Sequence, residues 1–317
     1  MGAHYPDVMA TESDARHLRV GGVDLAYSTT GDGGAPPVLL IAGLGGQLIS
    51  WEDGFCRELA DRGLLVVRYD NRDVGLSTHL GEGTLALATA LMATQPPAYT
   101  LTDLAADAAG LIAGLGWGSA HVVGASMGGM IGQVLAIEHP ERVRSLTSIM
   151  STTGDPDVGE ASEEAIALLM SPPTATRAEA LDAAVRASLV VGSPGYPRTE
   201  DALRERTARA YDRAFDPAGV ARQLHACLTA PDRTEALGRL DLPTLVVHGS
   251  DDPLIGVSGG RATAAAIPGA ELLVIDGMGH DIPQPCWPEI AERIADLVNR
   301  AEADRRRDEA RPGMSVG

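Results

Sequence analysis

The sequence predicts an α/β protein whose mostly parallel central sheet is flanked by helices and interrupted by a helical insert after the sixth strand. Short runs rich in branched apolar residues alternate with stretches of helical periodicity at both ends of the chain. This alternation is typical of a parallel sheet covered on both faces. Residues 151–239, by contrast, show helical segments and no convincing strand. The 317 residues suffice for one large domain with a substantial core.

Six strands are predicted before the insert. The first two form a hairpin, residues 18–20 with 23–28, turned at Gly21-Gly22. The next four are short apolar runs of the kind found in buried parallel strands. These runs are 38–42, 64–69, 120–124 and 143–150.

Helix signals separate the later strands. Thr100 and Asp103 form a capping box, which predicts a helix that ends near Leu115. A second helix is predicted from Met127 to about His139.

Four helices are predicted in the insert. Thr176 with Glu179 forms a second capping box, and Asp216-Pro217 supplies an N-cap and a first helical residue. The four segments are 160–170, 177–191, 200–215 and 216–229.

After the insert the sheet resumes at 243–248 and 271–275, and a last amphipathic helix follows at 288–300. The chain start lacks periodicity, and its end is a run of Arg, Asp and Glu that predicts a fraying, solvated tail. The resulting division is a disordered tail at 1–15, a core at 16–150 and 240–300, the insert at 151–239 and a charged tail at 301–317.

The charge balance excludes two classes of partner. The formal net charge is −18, and all 25 basic residues are arginine. Binding to a nucleic-acid backbone or to an anionic membrane surface needs a surplus of cations, so we expect neither. The start has no apolar signal-peptide region, and roughly 18 consecutive apolar residues occur nowhere. We therefore expect a soluble cytoplasmic protein.

The three cysteines do not suggest a metal or disulfide framework. Cys56, Cys227 and Cys286 are too few and too scattered for either. Free buried thiols in a reducing compartment are the simpler interpretation. We expect no metal and no cofactor.

The strongest chemical signal is the segment 124–129, Gly-Ala-Ser-Met-Gly-Gly. It lies between a Val-rich strand and a helix, as a nucleophile elbow requires. The tight turn needs small neighbours and exposes the hydroxyl of Ser126. The N-terminus of the following helix offers free N–H groups to a developing negative charge. An ordinary Gly-rich turn between strand and helix is the alternative.

A serine nucleophile needs a base, and the chain has eight histidines. His280 follows the strand 271–275 in a loop at the carboxyl edge of the sheet, where open α/β sheets place their ligands. It also completes the chain order Ser, acid, His. His79 lies in another loop, and its position alone does not exclude it.

The base needs an orienting carboxylate from a strand end between Ser126 and His280. The strand 243–248 leads into two adjacent candidates, Asp251 and Asp252. Spacing alone does not choose between them, and both suit a polar turn.

An acyl-transfer site also needs two donors for an oxyanion. The N–H of Met127 is one candidate, and the loop after strand 38–42 is the source expected for the other. Gly43 and Gly45 in that loop let backbone approach the substrate closely. Trp51 and Trp287 suit pocket walls and core packing equally well.

Three segments, 68–77, 120–128 and 277–280, resemble the α/β-hydrolase superfamily. Within it the likeness is to actinomycete esterases of the anthracycline methylesterase type, and it covers about residues 20–297. The resemblance implies that the insert is a cap over an α/β-hydrolase core.

The resemblance also implies roles for individual residues. Ser126 would be the nucleophile, His280 the base and Asp252 the acid, with the N–H groups of Leu44 and Met127 as oxyanion donors. Many family members have His-Gly where this chain has Ala42-Gly43. A serine at 126 argues against the superfamily branches that use an aspartate nucleophile.

These observations predict a serine hydrolase that cleaves a small or medium apolar carboxylic ester through an acyl-enzyme. A lactonase or an esterase of polyketide antibiotics is an alternative on the same site. A cofactor-free perhydrolase, a carbon–carbon bond hydrolase and a non-catalytic receptor are further alternatives. The sequence leaves the oligomeric state open.

Overall fold

The computed structural model describes residues 15–81, 96–169, 171, 174 and 176–309. Within them eight strands form one sheet in the order β1-β2-β4-β3-β5-β6-β7-β8. β1 and β2 pair antiparallel, as do β2 and β4, and the other neighbours run parallel. The strands are β1 Arg16–Val20, β2 Val23–Thr30, β3 Pro37–Ile41, β4 Leu65–Tyr69, β5 Ala120–Ala125, β6 Val143–Ile149, β7 Thr244–Gly249 and β8 Glu271–Ile275.

Helices cover both faces of this sheet. In the described part of the chain they are α1 Asp53–Ala60, α2 Leu101–Gly114, α3 Met127–Glu138, α4 Glu163–Leu169, α5 Arg177–Val191, α6 Glu200–Arg213, α7 Pro217–Leu228, α8 Thr234–Leu237, α9 Val257–Ala266 and α10 Trp287–Glu309. Both predicted capping boxes are present, at Thr100 before α2 and at Thr176 before α5. The sequence pattern does not predict α1 or α9.

The apolar core has two layers, one on each face of the sheet. Alternate residues of β3 enter opposite layers, Leu39 on one side and Leu40 on the other, because successive strand side chains point to opposite faces. The first layer packs against α2 and α3, and the second against α1 and α10. Burial on both faces explains the continuous apolar runs.

The stretch between β6 and β7 carries α4 to α8, and its described residues form no strand. Two buried arginine–aspartate pairs tie it to the loop after β4. Arg213 Nη2 lies 2.7 Å from Asp70 Oδ2, and Arg222 binds Asp73 through two bonds of 2.8 Å. Both aspartate side chains are fully buried. Paired charges this deep hold α6 and α7 in place, since separating them would leave a charge without a partner.

The charged end of the chain differs from the prediction. α10 continues to Glu309, so the helix end predicted near Arg300 is wrong. The solvated tail predicted from residue 301 is wrong for the buried residues Ala301 and Glu302, whereas residues 304–307 are exposed. The reason is Glu302, which is only 5% exposed. Its carboxylate accepts from Arg144 at 2.8 Å and lies 3.2 Å from His121 Nε2. The predicted tails at 1–14 and 310–317 lie outside the described residues.

None of the described helices is both long and apolar enough to cross a membrane.

Glu302 should contribute measurably to stability. Burial raises the pKa of its carboxyl, but the hydrogen bonds from Arg305 and Arg144 outweigh burial and lower it to about 2. We expect Glu302→Gln to lower the free energy of unfolding at pH 7 by about 1–3 kcal/mol. Urea titration measures this difference.

The sign of the pH dependence follows from the lowered pKa. The contribution of the carboxylate is present above its usual pKa of 4.5 and is lost as the pH falls toward 2. The deficit of Glu302→Gln should therefore shrink below pH 4.5. Asp304→Asn is the control, because this exposed neighbour contributes within about 0.5 kcal/mol. Equal losses in both variants would refute the role of Glu302.

Candidate active site

Ser126 occupies a strained turn between β5 and α3. Its backbone has φ 56° and ψ −120°, in the positive-φ region that residues other than glycine seldom adopt. Its N–H donates to Ile149 O at 2.9 Å, and its carbonyl accepts from Gly129 N and Ser151 Oγ, both at 2.9 Å. Surrounding structure thus holds the strained conformation in place.

The glycine after the turn is a steric requirement. A Cβ on Gly128 would lie 2.0 Å from the carbonyl oxygen of Ile41 in β3. Only a residue without a side chain lets α3 start so close to the central strand. The small-residue pattern of the sequence therefore reflects backbone contact at this point.

His280 connects the serine to a carboxylate. Its Nε2 lies 3.0 Å from Ser126 Oγ, and its Nδ1 lies 2.7 Å from Asp252 Oδ2. With Nδ1 protonated, His280 donates to Asp252 while Nε2 accepts from the serine hydroxyl. The imidazole is only 9% exposed. This is the arrangement needed to take a proton from an attacking hydroxyl.

The two adjacent aspartates have different environments. The Asp252 side chain is fully buried, and its Oδ1 accepts from the N–H groups of Leu254 and Ile255, both at 2.9 Å. Asp251 is exposed and accepts from the Ser250 hydroxyl instead. The structure therefore brings Asp252, and not its neighbour, to the imidazole.

Hydrogen bonds keep Asp252 ionised. Burial alone raises the pKa of this carboxyl, but hydrogen bonds from His248, His280 and the Ile255 N–H outweigh burial and hold it well below its usual range. His248 is fully buried, with Nε2 2.8 Å from Ile255 O and 3.5 Å from Asp252 Oδ2. In the sequence, His248 is only the last residue of the predicted strand 243–248. The sequence feature that could have pointed to His248 is its position four residues before Asp252, at the end of the strand.

The loop after β3 lies against the serine. A Cβ built on Gly43 would be 3.2 Å from the Ser126 Cβ. The N–H groups of Leu44 and Met127, the two donors named from the sequence, have no acceptor among the described residues. They are free to bind an oxygen atom of a ligand.

A side chain from α7 holds this loop. Gln223 Oε1 accepts from the Gly45 N–H at 2.9 Å, while its Nε2 donates to Arg72 O at 2.8 Å. Gln223 is completely buried. The glycine loop is thus linked to the stretch between β6 and β7, a connection that no sequence motif indicates.

The loop that carries His280 is held from the same stretch. The His280 N–H donates to Val191 O at 2.7 Å, at the end of α5. The Gly279 N–H donates to Ser193 Oγ at 2.9 Å. These bonds fix the His280 loop, and with it the imidazole, relative to the end of α5 and the residues that follow it.

Ser126 and His280 open into a cavity of about 810 Å³. Leu44 and both named loop glycines, Gly43 and Gly45, line it, as do Trp51 and Trp287. Both tryptophans are also core residues, only 4% and 8% exposed. Each tryptophan therefore both lines the cavity and packs in the core. Residues of α4, α5 and α6 also line the cavity.

His79, which the sequence left open as a base, lies elsewhere. Its Nδ1 is 2.7 Å from Asp216 Oδ2, and its Nε2 is 3.0 Å from Gly75 O. One ring nitrogen of His79 and one carboxylate oxygen from each of Asp73 and Asp216 lie within 4.8 Å of one another, a grouping that could hold a metal ion. Arg222 binds both oxygens of Asp73, so a cation here would compete with a guanidinium.

Solved structures with the same fold come from several hydrolases. A meta-cleavage product hydrolase from Pseudomonas fluorescens IP01 superposes with a TM-score of 0.73 at 18% identity, covering 90% of this chain and 98% of that chain. An enol-lactonase from Burkholderia xenovorans LB400 gives 0.67 at 24%, covering 91% and 100%. At this level of identity the likeness shows the fold alone.

Several proteins related in sequence share a higher identity with this chain than these two structures do. Rhodomycin D methylesterase DauP from Streptomyces sp. strain C5 is 32% identical over 287 residues, 83% of this chain and 91% of that protein. DnrP from Streptomyces peucetius, of the same description, matches equally. A putative carbamate hydrolase RutD from Pseudomonas savastanoi pv. phaseolicola is 27% identical over 251 residues, 78% and 87% of the two chains.

The sequence profile described as alpha/beta hydrolase fold matches residues 36–283. This match, the sheet topology and the similarity to the two methylesterases agree. The chain belongs to the α/β-hydrolase fold family.

Proposed function

We propose that this protein is a carboxylic ester hydrolase in which Ser126 forms an acyl-enzyme. The observation that carries the proposal is the hydrogen-bonded series Ser126, His280 and Asp252, which opens into the cavity. The named relatives are methylesterases and carbamate hydrolases, which both act on acyl groups attached to a heteroatom.

In the first step Ser126 Oγ attacks the ester carbonyl carbon. His280 Nε2 takes the hydroxyl proton as the new C–O bond forms. Asp252, ionised and rigidly held, stabilises the imidazolium produced. The imidazolium then gives its proton to the departing alkoxide as the ester C–O bond breaks. An alcohol leaves, and the acyl group stays on Ser126.

The carbonyl oxygen becomes negatively charged during this attack. The N–H groups of Leu44 and Met127 would donate to it, since Met127 directly follows the serine, Leu44 lines the same cavity, and neither N–H has an acceptor among the described residues. Met127 begins α3, whose N-terminal dipole adds to the stabilisation. In the second step His280 takes a proton from water as the water oxygen attacks the acyl carbon. The bond between that carbon and Ser126 Oγ then breaks, His280 returns the proton to Oγ, and the carboxylic acid leaves.

The substrate we propose is an ester of a bulky, mainly apolar acid with a small alcohol. A cavity of about 810 Å³ falls within the range of drug-sized ligands. Two of the relatives named above are called rhodomycin D methylesterases. The helices α4 to α8 act as the cap, because α4, α5 and α6 contribute residues to the cavity lining.

Ser126→Ala removes the attacking atom. We expect kcat for p-nitrophenyl butyrate to fall at least about 10⁴-fold, with no loss of the melting transition followed by circular dichroism. Release of p-nitrophenolate measures turnover. Activity within tenfold of the parent in a folded variant would end the proposal.

Asp252→Asn leaves the shape of the side chain but removes the charge that orients the imidazole. We expect kcat/KM to fall about 10⁴-fold. Asp251→Asn is the matched control, with the same chemical change on the adjacent, exposed carboxylate, and should stay near the parent. If the ranking were reversed, Asp251 would be the acid.

A further inference from the structure

We propose that Arg206 binds an anionic oxygen, a carboxylate or a phenolate, on the acid part of the substrate. The inference rests on the proposed function in that it concerns the same cavity. It adds a substrate class: esters that carry a negative charge away from the carbonyl that is cleaved.

Arg206 belongs to the face of α6 that lines the cavity. The lining residues of this helix are Leu203, Arg206, Thr207 and Ala210. Their spacing of three, four and seven positions places them on one side of an α-helix. The other three are uncharged, so Arg206 is the charge that α6 brings into the cavity.

The guanidinium of Arg206 is not engaged by a hydrogen bond within the described chain. Its nearest carboxylate oxygen, Glu52 Oε1, is 4.0 Å away, beyond hydrogen-bond distance. The side chain keeps 36% of its surface accessible. A guanidinium has five N–H donors. Arg206 therefore offers donors to whatever enters the cavity.

Glu52 is already committed to another arginine. Its Oε1 accepts from Arg198 Nη1 at 2.7 Å. Arg198 also donates to Ile282 O at 3.2 Å and lies 3.5 Å from Asp281 Oδ2. Arg198 is thus surrounded by oxygen atoms, whereas Arg206 lies 4.0 Å from the same Glu52 Oε1 that Arg198 already binds.

Neighbouring groups act on the charge of Arg206 in both directions. Burial and the nearby charge of Arg198 lower the pKa of its guanidinium, while the charges of Glu52 and Asp281 oppose that effect. An anionic ligand at hydrogen-bond distance would further favour the charged form. The cavity lining is mainly apolar, although the carboxylates of Glu52, Asp251 and Asp281 also belong to it. Beside apolar side chains, a bidentate arginine–carboxylate pair is stronger than it would be in water. Lysine would not reproduce the planar, two-pronged contact.

The alternative is a structural role, in which Arg206 only balances Glu52 at the cavity wall. Such a role predicts equal effects on all ligands. A role in recognition predicts an effect confined to anionic esters. Binding to a catalytically inactive enzyme separates the two without relying on turnover.

The experiment uses isothermal titration calorimetry in the Ser126→Ala background. The probes are mono-p-nitrophenyl glutarate, which carries a free carboxylate, and the neutral p-nitrophenyl butyrate. We expect Ser126→Ala/Arg206→Gln to bind the glutarate about tenfold or more weakly, because the charge-assisted hydrogen bonds to its carboxylate are lost. Binding of the butyrate should not change.

Ser126→Ala/Arg204→Gln is the matched control. Arg204 is on the same helix but pairs with exposed Asp182 and Glu200 outside the cavity, so both probes should bind as in the parent. Equal loss of both probes on Arg206→Gln, or no loss of either, would overturn the inference, as would a parent that does not bind the glutarate. Because binding is measured without hydrolysis, an enzyme that failed to cleave either ester would count against the proposed function and leave this result valid.

Discussion

The structure depends on backbone segments that approach one another at the carboxyl edge of the sheet. A Cβ on Gly128 would lie 2.0 Å from Ile41 O, and one on Gly249 would lie 2.0 Å from Met278 O. The first contact sets α3, and with it Ser126, against β3. The second sets the end of β7 against the loop of His280. Since side chains are absent where these segments touch, the hydroxyl and the imidazole come within 3.0 Å.

Charged and hydrogen-bonding groups then hold the site in place from two sides. On the core side, hydrogen bonds from His248, His280 and the Ile255 N–H keep Asp252 ionised. On the opposite side, the buried pairs Arg213–Asp70 and Arg222–Asp73 fix α6 and α7. Because these helices also carry Arg206 and Gln223, the same anchors position the cavity wall and the glycine loop. The same two ion pairs thus support both the catalytic geometry and the proposed recognition of a charged substrate.

Much of this could be predicted from the sequence, and the misses have physical causes. Periodicity and capping predict α5 at both ends, and chain order brings Ser126 to His280. The choice between Asp251 and Asp252 depends on which carboxylate meets backbone N–H groups, which adjacent positions in a sequence do not reveal. α1 lacks a side-chain N-cap bond and α9 begins Val-Ser-Gly-Gly, so packing rather than propensity forms them. Glu302 lies in a charge run, and only its tertiary partners show that it is buried.

The central claim is that Ser126 is a nucleophile activated by His280. Reaction with diethyl p-nitrophenyl phosphate, followed by mass spectrometry of the intact chain and of its peptides, tests this most directly. The account predicts one diethylphosphoryl group per chain, located on Ser126, with much slower labelling when His280 is replaced by alanine. A chain that stays unlabelled, or one labelled at another residue, would contradict it.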